Sequence, residues 1–156
     1  MRALVAPLLA LMALHPVSAA AQVKWTLFKK EGRAFLQGFS GVEEGDVEFW
    51  LHCRADKAID LGAGAETNVG EGKGEAVTLT LTSAGKTATL KGTSRNSANF
   101  EMTAGTELRT RIERNDPVFA VLATGKPIAV TGSIKPMTWR TAGLAAKVAS
   151  FLQGCK

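Results

Sequence analysis

Two cysteines, Cys53 and Cys155, are the side chains with the most definite chemistry in this sequence. A redox-active or reactive thiol usually lies in a C-x-x-C pair or beside a basic group, and neither arrangement is present. Cys53 falls on the apolar side of an alternating segment, and Cys155 falls on the apolar stripe of a C-terminal helical pattern. Both thiols are therefore expected to point toward one core. The sequence predicts a structural disulfide between them.

Residues 1–21 have the features of a secretory signal peptide. Arg2 precedes a long apolar run, and Ala19-Ala20-Ala21 supplies a small-residue cleavage site. We therefore expect a mature chain that begins at Gln22 and forms a single β-rich domain over residues 22–156. The expected location is periplasmic or secreted, where disulfides persist. The apolar run is shorter than the roughly 20 residues that a membrane span needs, so no span is predicted.

His52 is the histidine that would remain after cleavage, and it stands beside Cys53. Adjacent residues of a strand point to opposite faces, which makes a Cys–His dyad geometrically poor. A zinc site needs further ligands, and Glu48 is the one plausible candidate nearby. Gly72-Lys73 is not a phosphate-binding motif, because Gly74 stands where that motif has Ser or Thr. The sequence predicts no catalytic, cofactor-binding or metal-binding residues.

The chain has a net charge of +5 at pH 7, which the loss of Arg2 would lower by one. This mild excess favours an anionic envelope component or another protein as partner, and it is too small to imply nucleic acid. A hairpin turn and a late strand combine positive charge with an accessible element. The predicted binding surface consists of Ser83, Lys86, Arg109, Arg111 and Arg114. Glu107 and Glu113 share the strand face, so a solvated, ion-paired strand is the competing interpretation.

Alternating apolar residues predict a mainly β fold. The clearest strand covers residues 46–54, and a hairpin covers residues 77–90 with its turn at 83–86. Shorter strands are predicted at 25–29, 34–39, 58–61, 107–113 and 128–134. Residues 100–104 are expected to continue the inward-facing set, and 62–75 to form a surface loop. Short strands with glycine-rich turns favour an antiparallel β-sandwich or small barrel.

Two helices are predicted in the last third of the chain. Asp116-Pro117 is typical of a helix start, because Asp caps free amides and Pro suits the first helical position. Gly125 would end this short internal helix. The C-terminal helix begins between residues 138 and 144. Its apolar stripe is Leu144, Val148, Phe151, Leu152 and Cys155, and it predicts packing against the sheet.

The C-terminal third, from Asp116 through Gly125 to Cys155, resembles small secreted proteins of proteobacteria that have a signal peptide, a β-rich domain and a terminal helix ending in cysteine. This resemblance implies a fold and a compartment, and no activity. The turn Ser83-Ala84-Gly85-Lys86 also resembles part of the recognition loop Ser-Gly-x-x-Ala-x-Tyr of periplasmic C-type lysozyme inhibitors, which are small disulfide-tied β-barrels. The chain contains no tyrosine.

The features of the sequence favour a non-catalytic binding or interaction module of the bacterial envelope that needs no cofactor. One alternative is a lysozyme-type hydrolase inhibitor that inserts the 83–86 turn into an acidic cleft. Another is an enzyme whose site the known motifs do not reveal.

Overall fold

Antiparallel strands form one nearly closed, barrel-like sheet in the computed structural model, which describes residues 23–30, 33–40, 47–64, 67–98 and 100–155. The strands are β1 (Val23–Lys30), β2 (Arg33–Ser40), β3 (Val47–Cys53), β4 (Ile59–Ala63), β5 (Lys73–Ser83), β6 (Lys86–Asn96), β7 (Thr106–Ile112), β8 (Ile128–Gly132) and β9 (Met137–Trp139). The helices are α1 (Phe100–Thr103), α2 (Pro117–Leu122) and α3 (Leu144–Gly154). Across the sheet the order is β1-β2-β3-β4-β7-β6-β5-β8-β9. The predicted β-rich class is confirmed, in its barrel-like form.

The core lies inside the barrel, where alternate residues of each strand meet. Leu36, Leu51 and Leu61 are directly opposite one another on β2, β3 and β4, and all three are fully buried. Burial of such a side chain stabilises the fold by about 1.5–3 kcal/mol. The other face of these strands points outward, which leaves a long outer surface on the sheet.

An aromatic cluster lies where the two edge strands, β1 and β9, approach each other. Trp25 and Trp139 are buried with ring centroids 6.4 Å apart, and Phe49 contacts both rings. The Trp25 Nε1 donates a hydrogen bond of 2.9 Å to the carbonyl of Arg140, directly after β9. These contacts hold the two edges together without a ladder of strand hydrogen bonds.

Two helices cover one end of the barrel. The carboxylate of Asp116 accepts a 2.8 Å hydrogen bond from the Val118 amide, so α2 begins where the sequence predicts. It packs against β5 and β6, while α3 packs against β1 and β2. The helices meet through Phe119 and Phe151, whose stacked rings are 6.4 Å apart. The predicted packing of a C-terminal helix on the sheet is confirmed, although Leu152 is only partly buried.

Two segments differ from their predictions. Residues 100–103 form one turn of helix rather than a strand, although the apolar alternation there is strand-like. The C-terminal helix begins at Leu144, within the predicted window of 138–144, and residues 137–139 before it form β9. In the 62–75 segment, Val69 is fully buried and its amide donates to the Thr106 carbonyl at 3.2 Å. The predicted surface loop is thus anchored by a core residue. The predicted signal peptide, residues 1–21, lies outside the described residues.

Candidate functional site

A row of side chains crosses the outer surface of the sheet from its edge strand to its centre. The register places Phe28 opposite Phe35, Phe35 opposite His52, His52 opposite Asp60, and Asp60 opposite Arg111. Their chain neighbours Ala34, Cys53, Ile59 and Ile112 are buried inside the barrel. Because strand side chains alternate between faces, the row must lie outside. A second row, two residues along the strands, contains Trp50 and Arg109.

We call the surface formed by these two rows the aromatic–arginine face. Its aromatic and basic members are Phe28, Phe35, Trp50, His52, Arg109 and Arg111.

The Trp50 side chain lies flat across the neighbouring strand, because that strand has glycine at position 62. A Cβ atom at Gly62 would overlap the Nε1, Cε2 and Cζ2 atoms of the indole. From this position Nε1 reaches over β4 and donates a 2.8 Å hydrogen bond to Oε2 of Glu107 on β7. One small residue therefore lets a large side chain bridge three strands.

Glu107 fixes an arginine of the aromatic–arginine face. Its side chain is 3% exposed, and its Oε1 accepts a 2.7 Å hydrogen bond from Nε of Arg109. The Arg109 guanidinium, 44% exposed, has its Cζ 5.8 Å from the centroid of the Trp50 ring, within the range of a cation–π contact. A buried carboxylate needs such partners to offset its desolvation. The result is a guanidinium held in one place, with its outer edge toward solvent.

The aromatic side chains of the face differ in exposure. Phe28 is 57% exposed and is the exposed large hydrophobic side chain among the described residues. Phe35 is half-buried, with its ring at 86° to the His52 ring and 34° to the Trp50 ring. Exposure of a phenylalanine on an edge strand costs solvation free energy with no return in packing. An exposed apolar side chain beside half-buried aromatics is typical of an interaction surface.

Arg111 provides the other end of the row. Its side chain is 56% exposed, and its Nε lies 3.3 Å from Oδ1 of Asp60. The second oxygen of Asp60 lies 3.3 Å from Nη1 of Arg54, so one carboxylate faces two guanidinium groups. Exposed ion pairs of this kind contribute about 0–1 kcal/mol. Nε of Arg54 also lies 3.6 Å from Oδ1 of Asp56, so the two arginines and the two aspartates balance in charge. Arg111 meets Asp60 through Nε and keeps its terminal nitrogens for another anion.

The structure separates the residues of the predicted binding surface. Arg109 and Arg111 lie on the aromatic–arginine face. Arg114 instead donates to the carbonyls of Leu152, at 2.9 Å, and Cys155, so it caps the end of α3. Cationic side chains at this position stabilise a helix by interacting with its unpaired carbonyls.

The 83–86 turn lies apart from that face, on β5 and β6. Ser83 is buried, and its hydroxyl contacts Oγ1 of Thr124 at 2.7 Å and the Lys126 carbonyl at 3.1 Å. Lys86 is exposed, as are the two residues of the turn between them. The serine hydroxyl is thus engaged within the protein, while the lysine is accessible.

Cys53 and Cys155 form the predicted disulfide, which is confirmed. The bond is fully buried and joins β3 to the residue that ends α3. A cleft of about 490 Å³ opens nearby, lined by Asp56, Lys57, Ala58, Glu113, Arg114 and Asn115. His52 and Cys53 point to opposite faces of β3, as expected, so the histidine does not contact the sulfur. Within the described ranges, no group of three or more His, Cys, Asp or Glu side chains could hold a metal ion.

The alternation in residues 46–54 places Trp50 and His52 on the side of the strand opposite Cys53, and it indicates no role for either. Phe28 and Phe35 were not identified. The available signal was an apolar residue at the outward position of each of two successive strands, where a polar residue is usual. Their meeting with Arg109 and Arg111 depends on β4 pairing with β7, which are far apart in the chain.

Comparison with protein-family models, with curated proteins and with solved structures finds no match for this chain.

Proposed function

We propose that the protein is a non-catalytic binding module of the bacterial envelope, periplasmic or secreted, which engages its partner through the aromatic–arginine face. The observation that carries this proposal is the outer row from Phe28 to Arg111. It combines an apolar side chain that is more than half exposed with the guanidinium of Arg111, which meets Asp60 through Nε and keeps its terminal donors. Aromatic residues and arginine are enriched at the centre of protein interfaces and account for much of their binding free energy.

The proposed compartment is supported by two features. The Cys53–Cys155 disulfide requires an oxidising environment to form and persist in most organisms. Residues 1–21 have the basic start, apolar run and cleavage site of an exported chain. In the part of the chain that the structure describes, no helix is long and apolar enough to cross a membrane.

Binding suits the chemistry of the face better than catalysis. Its polar groups are guanidinium donors, which orient and hold anions. The ring of His52 packs edge-on against Phe35 at a centroid distance of 5.6 Å. Nucleophilic catalysis needs a nucleophile within hydrogen-bond reach of a base, and the residues directly opposite His52 on the two neighbouring strands are Phe35 and Asp60.

The test is capture of a partner by the mature chain, residues 22–156, immobilised in its oxidised form and exposed to bacterial envelope extract. Wild type should retain a specific protein or polymer. The double variant Phe28→Ser/Arg111→Ala should lose it, because it removes the exposed ring and the guanidinium at the two ends of the row. Lys135→Ala, which removes an exposed positive charge from the β8–β9 connection, is the matched control and should bind as wild type does.

Equal capture by wild type and the double variant would contradict the proposal. The hydrolase-inhibitor alternative predicts a different pattern, since its contact is the exposed turn at Ala84, Gly85 and Lys86. In that case Lys86→Ala would lose inhibition of a C-type lysozyme, and Phe28→Ser/Arg111→Ala would retain it.

A further inference from the structure

We infer that the aromatic–arginine face binds a short acidic segment of another protein, in which carboxylates flank an apolar side chain. This inference rests on the proposed function and specifies the ligand class for the same surface. It follows from the orientation of the rings, the arrangement of charge and the size of the face.

The rings are not arranged to stack on a flat ligand such as a sugar. Trp50 already has one face against Gly62 and the Arg109 guanidinium over its ring at 5.8 Å. The ring of Phe35 stands at 86° to that of His52, so these two do not form a common platform. What remains open is Phe28, which projects from an edge strand. An isolated projecting ring fits against an apolar side chain of a partner rather than against a planar ring system.

The charges select carboxylates. Arg111 and Arg54 share the carboxylate of Asp60 through contacts of 3.3 Å, and Arg54 also lies 3.6 Å from Asp56, so these four charges balance. Arg111 meets Asp60 through Nε, which leaves its terminal nitrogens for another carboxylate. Arg33 is exposed two residues before Phe35 on β2, so it adds positive charge on the same outer side of the sheet.

Arg109 donates through Nε to Glu107 and through Nη2 to the Asn96 carbonyl at 3.4 Å, and these two contacts fix its guanidinium on the face. Guanidinium groups fixed in this way bind carboxylates through two parallel hydrogen bonds. The acceptors in a complementary protein segment are Asp and Glu.

The size of the face fits a segment better than a large surface. Phe28 and Arg111 are separated by four strand spacings, which corresponds to about 19 Å. The two rows are about 7 Å apart along the strands. A standard protein interface covers roughly 800 Å² on each partner, well above the area of these two rows. An extended stretch laid across the strands, from Phe28 to Arg111, would place its apolar residue and its carboxylates over matching groups.

Intrinsic fluorescence offers a direct measurement, because Trp25 and Trp139 are buried in the core and Trp50 lies on the face. The first probe is a synthetic glutamate-rich peptide with a central leucine. Its matched controls are the same peptide with glutamine for glutamate and the same peptide with serine for leucine. Polygalacturonate and phosphatidylglycerol vesicles present anions on a sugar polymer and on a lipid surface. Calorimetry on each probe gives affinities that do not depend on tryptophan.

The acidic peptide should change the Trp50 emission and bind more tightly than either control peptide. Arg111→Ala and Phe28→Ser should each weaken its binding by about tenfold, as expected for loss of an interface anchor. Lys135→Ala should leave the affinity unchanged. Raising the salt concentration should weaken binding, because exposed charges are screened over about 8–10 Å at physiological ionic strength.

Absence of peptide binding, or binding that Arg111→Ala and Phe28→Ser leave unchanged, would overturn the inference. Preferential binding of polygalacturonate or of the vesicles through the same residues would also overturn it, while leaving the proposed binding module intact. Failure of the proposed function has a different signature, since capture from envelope extract would then be indifferent to both substitutions.

Discussion

Gly62 sets the position of the largest side chain on the outer surface. A Cβ atom there would occupy the space of the Trp50 indole, which crosses β4 to reach Glu107. Glycine ordinarily weakens a strand, because it adds chain entropy and provides no side chain to pack. At this position the loss is offset by the burial of an indole face and by a hydrogen bond to a nearly buried carboxylate. The same arrangement fixes Arg109, so a glycine on β4 determines the position of a guanidinium on β7.

We expect Gly62→Ala to lower the free energy of unfolding by about 1–3 kcal/mol, as overpacking usually does. The added methyl group would displace the indole and remove one of the two donors to Glu107. Urea unfolding of the purified protein measures this loss. In a Trp50→Ala background the methyl group meets no indole, so the same substitution should cost much less. Equal losses in the two backgrounds would show that Trp50 does not depend on Gly62.

At the residue scale, the chemistry of the disulfide could be predicted and the composition of the aromatic–arginine face could not. The disulfide could be predicted from two features of the sequence: the apolar side of its segment on which each cysteine lies, and the signal-peptide pattern that indicates an oxidising compartment. Phe28 and Phe35 meet through the local pairing of β1 with β2, but Arg111 joins them only through the long-range pairing of β4 with β7. Arg114 looked equivalent to Arg109 and Arg111 in the sequence, but the chain turns before α2 and directs it to the end of α3.

The connection between β4 and β5 shows how a polar, glycine-rich segment becomes ordered. The Glu75 carboxylate accepts hydrogen bonds from the amides of Glu71 and Lys73, the latter at 3.0 Å. Ser94 on β6 accepts from the Gly72 amide at 2.8 Å and donates to the Val69 carbonyl. The backbone amide of Glu71, followed by those of Glu75 and Lys73, lowers the pKa of Glu75, because hydrogen bonds to a carboxylate favour its charged form.

This lowered pKa predicts an acid-dependent contribution to stability. A carboxyl whose pKa is lower in the folded state stabilises the fold above its unfolded pKa, near 4.5, and this contribution is lost as the pH falls through the folded pKa. Glu75→Gln should therefore be less stable than wild type at neutral pH. This difference in stability should shrink as the pH falls below the unfolded pKa and through the folded pKa of Glu75. Urea unfolding over a pH series measures it. Glu71→Gln is the control, since its exposed ion pair with Lys73 should contribute little. A difference that persists at the acid end would exclude this role for Glu75.

At the scale of elements, period-two alternation predicted most strands, because each has one face in the core. The same rule fails at residues 100–103, where the apolar residues alternate as in a strand but the chain forms a single helical turn. It also fails in the 62–75 segment, where glycine and charge suggest an exposed loop. The side chains of Glu75 and of Ser94 on β6 accept hydrogen bonds from backbone amides of this segment. A pattern of hydrophobicity does not predict such hydrogen bonds. The strand order and the near-closure of the barrel likewise depend on long-range contacts such as Trp25 with Trp139.

The whole molecule is closed at its helical end by a helix that is attached at both of its ends. Leu144 is fully buried at the start of α3, and Cys155 at its end is bonded to Cys53 on β3. Arg114 adds hydrogen bonds to the last carbonyls of the same helix. Gly154 lies against Ala34 and the stem of Lys29, so the final turn packs closely on β1 and β2. The disulfide therefore holds the last element of the chain on the barrel that its earlier strands build.

Removal of this bond should lower the stability of the entire domain, because the cysteines are 102 residues apart and the bond restricts most of the unfolded chain. The chain-entropy model gives about 4.7 kcal/mol for a loop of about 100 residues, and measured losses are typically about 2–5 kcal/mol. We expect a loss in that range for Cys53→Ala/Cys155→Ala in urea unfolding. Reductant should destabilise wild type by a similar amount and leave the double variant unaffected, which separates the bond from the packing of the two side chains. The oxidised protein should be lighter than the reduced protein by two hydrogen atoms. Two titratable thiols in protein exported by the cell, or equal stability with and without reductant, would refute the role of the disulfide as the brace between barrel and helix.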